Sequence, residues 1–181
     1  MKKYILSLML VVVALSSCAD NSKKQEAADQ SQEADMSLTS APSTPTSENE
    51  APDFTLNDIN GKPLTLSSLR GKYVILDFWG SWCGWCIKGI PQMKEYYQKY
   101  AGKFEILGID CNDPEAKWKA AVEKYELPWL HVYNTRDSKV LEQYEIQGFP
   151  TKIIVGPDGK IVKTIIGEDP AFYTYLDELF K

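Results

Sequence analysis

Apolar positions divide the chain into three zones. Ile5 to Leu15 is mostly apolar, residues 19–50 carry few apolar side chains, and from residue 51 onward apolar and polar positions recur with the periods of strands and helices. In this third zone two short strands are predicted around Asn60-Gly61, a hairpin signal. Leu64-Thr65-Leu66 and a helical turn at Ser67 to Leu69 follow. Tyr73–Phe78 is apolar on both faces apart from Asp77, which suits a central parallel strand. The next segment sets Cys86, Ile90, Met93 and Tyr97 on one helical face and Lys88, Gln92, Lys94 and Glu95 opposite. Pro91 falls inside it and predicts a kink. Phe104–Ile109 reads as the next strand. Asp113 then offers an N-cap and Pro114 a first-turn proline for a helix with Trp118, Ala121, Val122 and Tyr125 inward. A short strand within Leu127–Tyr133 and a helical turn at Val140–Tyr144 come next. Lys152–Val155 and Lys160–Ile166 form a hairpin across Pro157-Asp158-Gly159. Asp169-Pro170 caps a last helix with Phe172, Leu176 and Leu179 inward. This order predicts an α/β domain with a central mixed sheet and helices on both faces.

Cys83-Gly84-Trp85-Cys86 lies between the Tyr73–Phe78 strand and the helix that follows. A Cys-x-x-Cys at such a junction reads as a redox pair. The first helical turn presents unpaired N–H groups and the positive end of the helix dipole, so a thiolate there is stabilised and nucleophilic near neutral pH. The second thiol shares the helical face and is placed to close a disulfide. Cys83 is nearer the helix start and solvent, which assigns it as nucleophile and Cys86 as resolving thiol. A proton acceptor for Cys86 is then needed. Asp77, six residues upstream on a buried strand, is the candidate, because burial raises a carboxyl pKa toward neutrality. The alternatives are an inert disulfide or a zinc knuckle, but zinc needs about four ligands. Only Cys111 and the single histidine, His131, remain as soft partners. A lone histidine near Trp129 reads first as a packed side chain, and no metal or cofactor is expected.

Composition adds an address. Lys2 and Lys3 precede the apolar run, which is too short to span a bilayer as a mature helix and fits a secretory signal over residues 1–17. Leu15-Ser16-Ser17-Cys18 resembles a bacterial lipoprotein cleavage box, in which Cys18 becomes the acylated N-terminus. Residues 18–50 then form a disordered tether, rich in Ser, Ala, Thr, Gln and acids, with a random-coil reach on the order of 30 Å. Residues 19–50 carry seven acids against two lysines, which argues against anionic lipid or nucleic acid as an electrostatic partner. The domain, 51–181, has 16 basic and 18 acidic residues, so no strong global field selects its partners. Of four cysteines, Cys111 is left over. It reads as a small buried strand-end residue or, since parallel strand ends share one edge of a sheet, as a third thiol near the pair.

The run Val74-Ile75-Leu76-Asp77-Phe78-Trp79-Gly80-Ser81-Trp82-Cys83-Gly84-Trp85-Cys86 resembles the active-site strand and helix start of thioredoxin-fold proteins. Tyr144-Glu145-Ile146-Gln147-Gly148-Phe149-Pro150-Thr151 is similar to the cis-proline loop of that family. Ala51-Pro52-Asp53-Phe54-Thr55-Leu56 and the Gly61-Lys62-Pro63 turn resemble the start of the redoxin branch. That branch holds membrane-tethered thiol–disulfide oxidoreductases and peroxiredoxins.

The resemblance, closest to the TlpA/ResA-like reductases, implies a thioredoxin-like fold with an N-terminal β-hairpin extension and a redoxin-type insert. It implies a proton-accepting role for Asp77 and a cis bond before Pro150 that offers the Phe149 backbone to an extended substrate. Trp82 and Trp85 would add apolar contact, Trp85 standing where the family usually has proline. The implied activity is extracytoplasmic reduction of disulfides in exported proteins, such as apocytochrome c awaiting haem. The partners are protein thiols and disulfides, a membrane reached through the N-terminal lipid, and an upstream electron donor. The domain would face the periplasm or cell surface. Other readings are a copper carrier, a disulfide isomerase or oxidase, and a peroxidase. The last is disfavoured, since neither the Pro nor the Thr of Pro-x-x-x-Thr-x-x-Cys precedes Cys83.

Overall fold

Alternation along the central strands decides the architecture. In β3 (Tyr73–Trp79), Val74, Leu76 and Phe78 enter one apolar cluster, while Ile75 and Trp79 enter another on the opposite face. β4 (Phe104–Asp110) divides the same way: Phe104 and Ile106 join Ile75, and Leu107 and Ile109 join Leu76. A strand apolar on both faces must be covered on both. The computed structural model describes residues 49–181; the leader, Cys18 and most of the tether lie outside the described residues.

Two more strands precede β3 in the chain, β1 (Thr55–Asp58) and β2 (Pro63–Thr65), followed by a 3-10 turn at Leu66–Leu69. After β3 come α1 (Gly84–Lys99), β4, α2 (Glu115–Lys124), β5 (Leu130–Tyr133) and α3 (Val140–Gln143). β6 (Thr151–Val155), β7 (Ile161–Ile166) and α4 (Pro170–Leu179) complete the order. The seven-stranded sheet runs β2-β1-β5-β4-β3-β6-β7. β3, β4 and β5 are parallel and the remaining pairings antiparallel, which gives the mixed sheet that the sequence predicts. The N-terminal hairpin packs at one end of it, pairing β1 with β5.

Coverage of the two faces is unequal. Residues of α1, α2 and α4 (Met93, Trp118, Phe172 and Leu176 among them) pack on the face that carries both cysteines. The other face is closed by Val140 of α3, by Tyr144 after it, and by Ala51, Phe54 and Leu66. Both parallel crossovers step in one direction along the sheet, so right-handed connections place α1 and α2 on one side. α1 continues through Pro91, whose ring removes the bond that position would donate to Ile87.

Residues 49–51 anchor the start of the domain. Ile161 N–H donates to the Asn49 carbonyl at 2.8 Å, Ala51 N–H to Gly159 at 2.9 Å, and Arg70 pairs with Glu50 at 2.9 Å. In the β6–β7 register Ile161 faces Val155 and Ile166 faces Thr151. Thr151 lies beside Phe78, at the end of β3 that leads to the cysteines. The chain therefore enters the domain at the end of the sheet remote from the thiols.

Candidate active site

β3 ends at Trp79, and three residues carry the chain into α1, for which Cys83 is the N-cap. Cys83 N–H donates to Gly80 at 3.0 Å, and Cys86 N–H donates to the Cys83 sulfur at 3.1 Å. An orphan donor of the first turn thus points at that sulfur, and no acidic side chain in the turn offsets the positive end of the dipole. Cys83 and Cys86 are joined as a disulfide. The expected difference in exposure is not found: Cys83 is 6% exposed and Cys86 7%. Both are buried, and position on the helix, rather than solvent, distinguishes them.

The loop before Cys83 is held from the segment that follows β4. Ser81 donates its N–H to one oxygen of Asp113 at 2.6 Å and its hydroxyl to the other at 2.7 Å. This corrects the reading of Asp113 as a helix cap. The N-cap of α2 is Pro114, with no side-chain hydrogen bond, because the Asp113 carboxylate is already committed to Ser81. Asn112 turns the chain with φ of 68°, a conformation asparagine tolerates. The Trp82 indole N–H donates to the Cys111 carbonyl at 2.8 Å. A side chain at Gly80 would collide with both groups, so glycine is required there.

Cys111 is at the strand end as expected, but its side chain is fully buried in the cluster on the other face of the sheet from Cys83 and Cys86. The backbone touches the site while the sulfur does not. Burial pushes this thiol far above its ordinary pKa. The reading of Cys111 as a third thiol near the pair is therefore corrected.

Asp77 points to the face that carries the cysteines, and burial raises its carboxyl to about 6, with the Lys152 charge opposing and the Glu168 charge assisting. It lines, with Cys86, Pro150, Lys152 and Glu168, a cavity of about 10 Å³, close to what one water needs. Asp77 Oδ1 is buried without a protein partner. His131 is buried against Trp79 and Trp129, and burial lowers its pKa to about 4, so it is neutral near pH 7. Among the described residues no three His, Cys, Asp or Glu side chains gather where a metal ion could be held.

Across from the disulfide, the Phe149–Pro150 peptide bond is cis. The Pro150 carbonyl accepts from Gly167 N–H at 2.7 Å, and the Thr151 hydroxyl donates to Gly148 at 2.7 Å, which fixes the loop. Phe149 meets Trp82 edge to face with centroids 5.2 Å apart. Trp82 is 52% exposed and Trp85 61%, high values for residues of this size. Lys88 lies 4.6 Å over the Trp85 ring. Asp77, Cys86 and Pro150 thus line one cavity, and Trp82, next to Cys83, meets Phe149, next to Pro150; Cys18 lies outside the described residues.

A strand, a Cys-x-x-Cys at a helix N-terminus and a facing cis-proline describe one family of folds, and the chain matches the AhpC/TSA family over residues 48–164. It belongs to that family. A protein named thiol–disulfide oxidoreductase ResA from Bacillus cereus (strain ZK / E33L) is 40% identical over 120 residues, 66% of this chain and 69% of that one. Its namesake from Bacillus subtilis (strain 168) is 35% identical over 119 residues, 65% of this chain and 66% of that one. The thioredoxin domain of a thiol–disulfide oxidoreductase from Bacteroides vulgatus superposes with a TM-score of 0.67 at 34% identity. It covers 73% of this chain and 96% of its own. A thiol–disulfide oxidoreductase from Bacteroides fragilis gives 0.65 at 32% identity, over 72% of this chain and 98% of that one.

Two groups at the site escape sequence reasoning. Lys152, second in β6, resembles a solvent-facing residue, yet it is 3% exposed and pairs with Glu168 at 2.8 Å. Glu168 sits in a loop with no periodicity to flag it. Gly89, inside α1, is the one signal available, since glycine is disfavoured in a helix interior without a reason.

Proposed function

We propose that this chain is an extracytoplasmic protein-disulfide reductase in which Cys83 attacks, Cys86 resolves and Asp77 accepts the Cys86 proton. That it is a thiol–disulfide oxidoreductase rests on the family and on the paired cysteines. The assignment of roles rests above all on the Cys83 sulfur at the N-cap of α1, accepting the Cys86 N–H. That donor and the helix dipole stabilise a Cys83 thiolate, both as attacking group and as leaving group. Trp82, Trp85, Phe149 and Pro150 would seat an extended substrate segment by backbone pairing and apolar contact.

The direction is tested by the equilibrium reduction potential of the Cys83–Cys86 pair, read by thiol trapping in defined thiol buffers. A value near or below about −250 mV is expected for a reductase, and one of about −180 to −120 mV would replace that reading with isomerase or oxidase. Absence of exchange in every buffer would return the pair to an inert disulfide. Substrates are proposed to be disulfides of exported proteins, cytochrome c precursors among them.

Anchoring through an acylated Cys18 is proposed from the Leu15-Ser16-Ser17-Cys18 box. The entry of the chain at the sheet end remote from the thiols supports it, since a tether there leaves the thiols free to meet partners. Cys18→Ser should move the protein from the membrane fraction to the soluble extract of its host. Retention in the membrane fraction after that change would refute lipidation at Cys18.

A further inference from the structure

Behind the disulfide lies an ion pair that the exchange chemistry above does not use. Lys152 Nζ is 2.8 Å from Glu168 Oε2, and both side chains are largely buried. The Tyr173 hydroxyl donates to the second oxygen, Oε1, at 2.8 Å. The carboxylate fills the space where Gly89 lacks a side chain; a methyl group there would overlap it. Helix α1 therefore accepts the cost of an interior glycine, roughly 1 kcal/mol against alanine, at the position that admits this carboxylate. An ion pair taken out of water is seldom a net source of stability, so its place beside Cys86 asks for another account.

Lys152 stands directly opposite Asp77 in the antiparallel β3–β6 register, so the two side chains share one face. Both, with Glu168, line the cavity that Cys86 enters. We propose that Lys152 and Glu168 are positioning residues for the resolving step, setting the charge state in which Asp77 receives the Cys86 proton. The proposal rests on the role given to Asp77 above. In that step Cys83 is joined to a substrate sulfur. Cys86 passes its proton to Asp77, across a cavity the size of one water, and its thiolate attacks the Cys83 sulfur. The Cys83–substrate bond breaks, the electron pair leaves on the substrate sulfur, and that thiolate takes up a proton. The dithiol of the chain is oxidised by two electrons and the substrate disulfide is reduced by two.

The other titratable groups around Asp77 leave this control to the pair. Tyr173 on α4 and Cys111 after β4 are both held neutral by burial, their pKa values displaced upward. His131 on β5 lies in the same cross-strand row, across Gly108, and is neutral near pH 7. Cys86 on α1 is the reacting group itself. Asp110 on β4, on the same face beside Trp79, is held protonated near pH 7, since burial and then the Asp113 carboxyl raise it to about 8; among the described residues Lys152 and Glu168 are thus the charges that act on Asp77, one favouring its anion and one opposing it.

The test uses the reduced full chain and an aromatic disulfide that releases a coloured thiolate. A first phase reports attack by Cys83, and a second reports resolution by Cys86. In Lys152→Met the pH midpoint of the second phase should rise by about one unit or more, because a positive charge beside a carboxylate has been removed. Glu168→Gln, which keeps the shape and one acceptor oxygen but removes the negative charge, should lower the midpoint. The double variant should rise by less than Lys152→Met alone; it leaves no unpaired charge from the Lys152–Glu168 pair and serves where the single variant does not fold. Lys152→Arg should restore the wild-type midpoint. A normal first phase with unmoved midpoints in Glu168→Gln and the double variant would overturn the positioning role while sparing the reductase reading. Loss of the first phase in the wild-type chain would overturn that reading instead.

Discussion

Cys83→Ser is expected to reduce disulfide turnover to background, whereas Cys86→Ser should still attack and then stall as a mixed disulfide. The asymmetry follows from the helix start. Cys83 alone caps α1 and accepts a first-turn N–H, so its thiolate is the better nucleophile and its sulfur the better leaving group. Cys86 lies one turn in, beside a cavity that holds carboxylates, where a negative charge is unwelcome until its proton is taken. Intact-protein mass spectrometry after mixing with a small aromatic disulfide reads the outcome. Cys86→Ser should gain one substrate half that dithiothreitol removes, and Cys83→Ser should gain none on the same timescale. The reverse pattern would exchange the two roles. Cys111 should not blur the reading, because it is fully buried on the other face of the sheet.

Much of this site was legible in the sequence because its parts are local. A strand, a tight turn and a helix start are written in consecutive residues, and Asp77 lies on that same strand. What was not legible depends on which residues meet across the sheet. The pairing of β1 with β5 joins segments about seventy-five residues apart, and no periodicity announces it. Asp113 next to Pro114 has the form of a helix cap, but a longer-range donor, Ser81, competes for the carboxylate and prevails with two hydrogen bonds. The relative exposure of Cys83 and Cys86 fails for a similar reason. Phe149, from a distant segment, packs against the cluster that holds both cysteines. Lys152 and Glu168 are sixteen residues apart on the two sides of a hairpin; only the β3–β6 register sets Lys152 opposite Asp77, and only the ion pair brings Glu168 there. The inner glycine of α1 was visible, but its meaning is in the carboxylate that fills it.

Asp77→Asn should separate stability from activity, and in opposite directions. Burial holds the folded carboxyl at about 6 against an ordinary value of 3.8. The folded state therefore binds the proton more tightly than the unfolded chain does. Below about pH 4 both states are protonated and the residue is neutral to stability. As pH rises toward 6 the unfolded chain releases the proton first, so stability falls with pH, and above the folded value the full penalty is present. Two units amount to about 3 kcal/mol. Asparagine, which never ionises, should thus be more stable than wild type by about 2–3 kcal/mol at pH 8 and no more stable at pH 4. Urea unfolding of the two proteins at both pH values measures this difference. The same variant should leave attack by Cys83 in place and slow resolution by Cys86 at pH 7 by about 100-fold or more, the usual scale for losing a positioned base. A residue kept only for the fold would give a variant that is less stable at pH 8 and unchanged in resolution. That result would remove Asp77 from the mechanism, and with it the reason to bury a carboxylate behind Cys86.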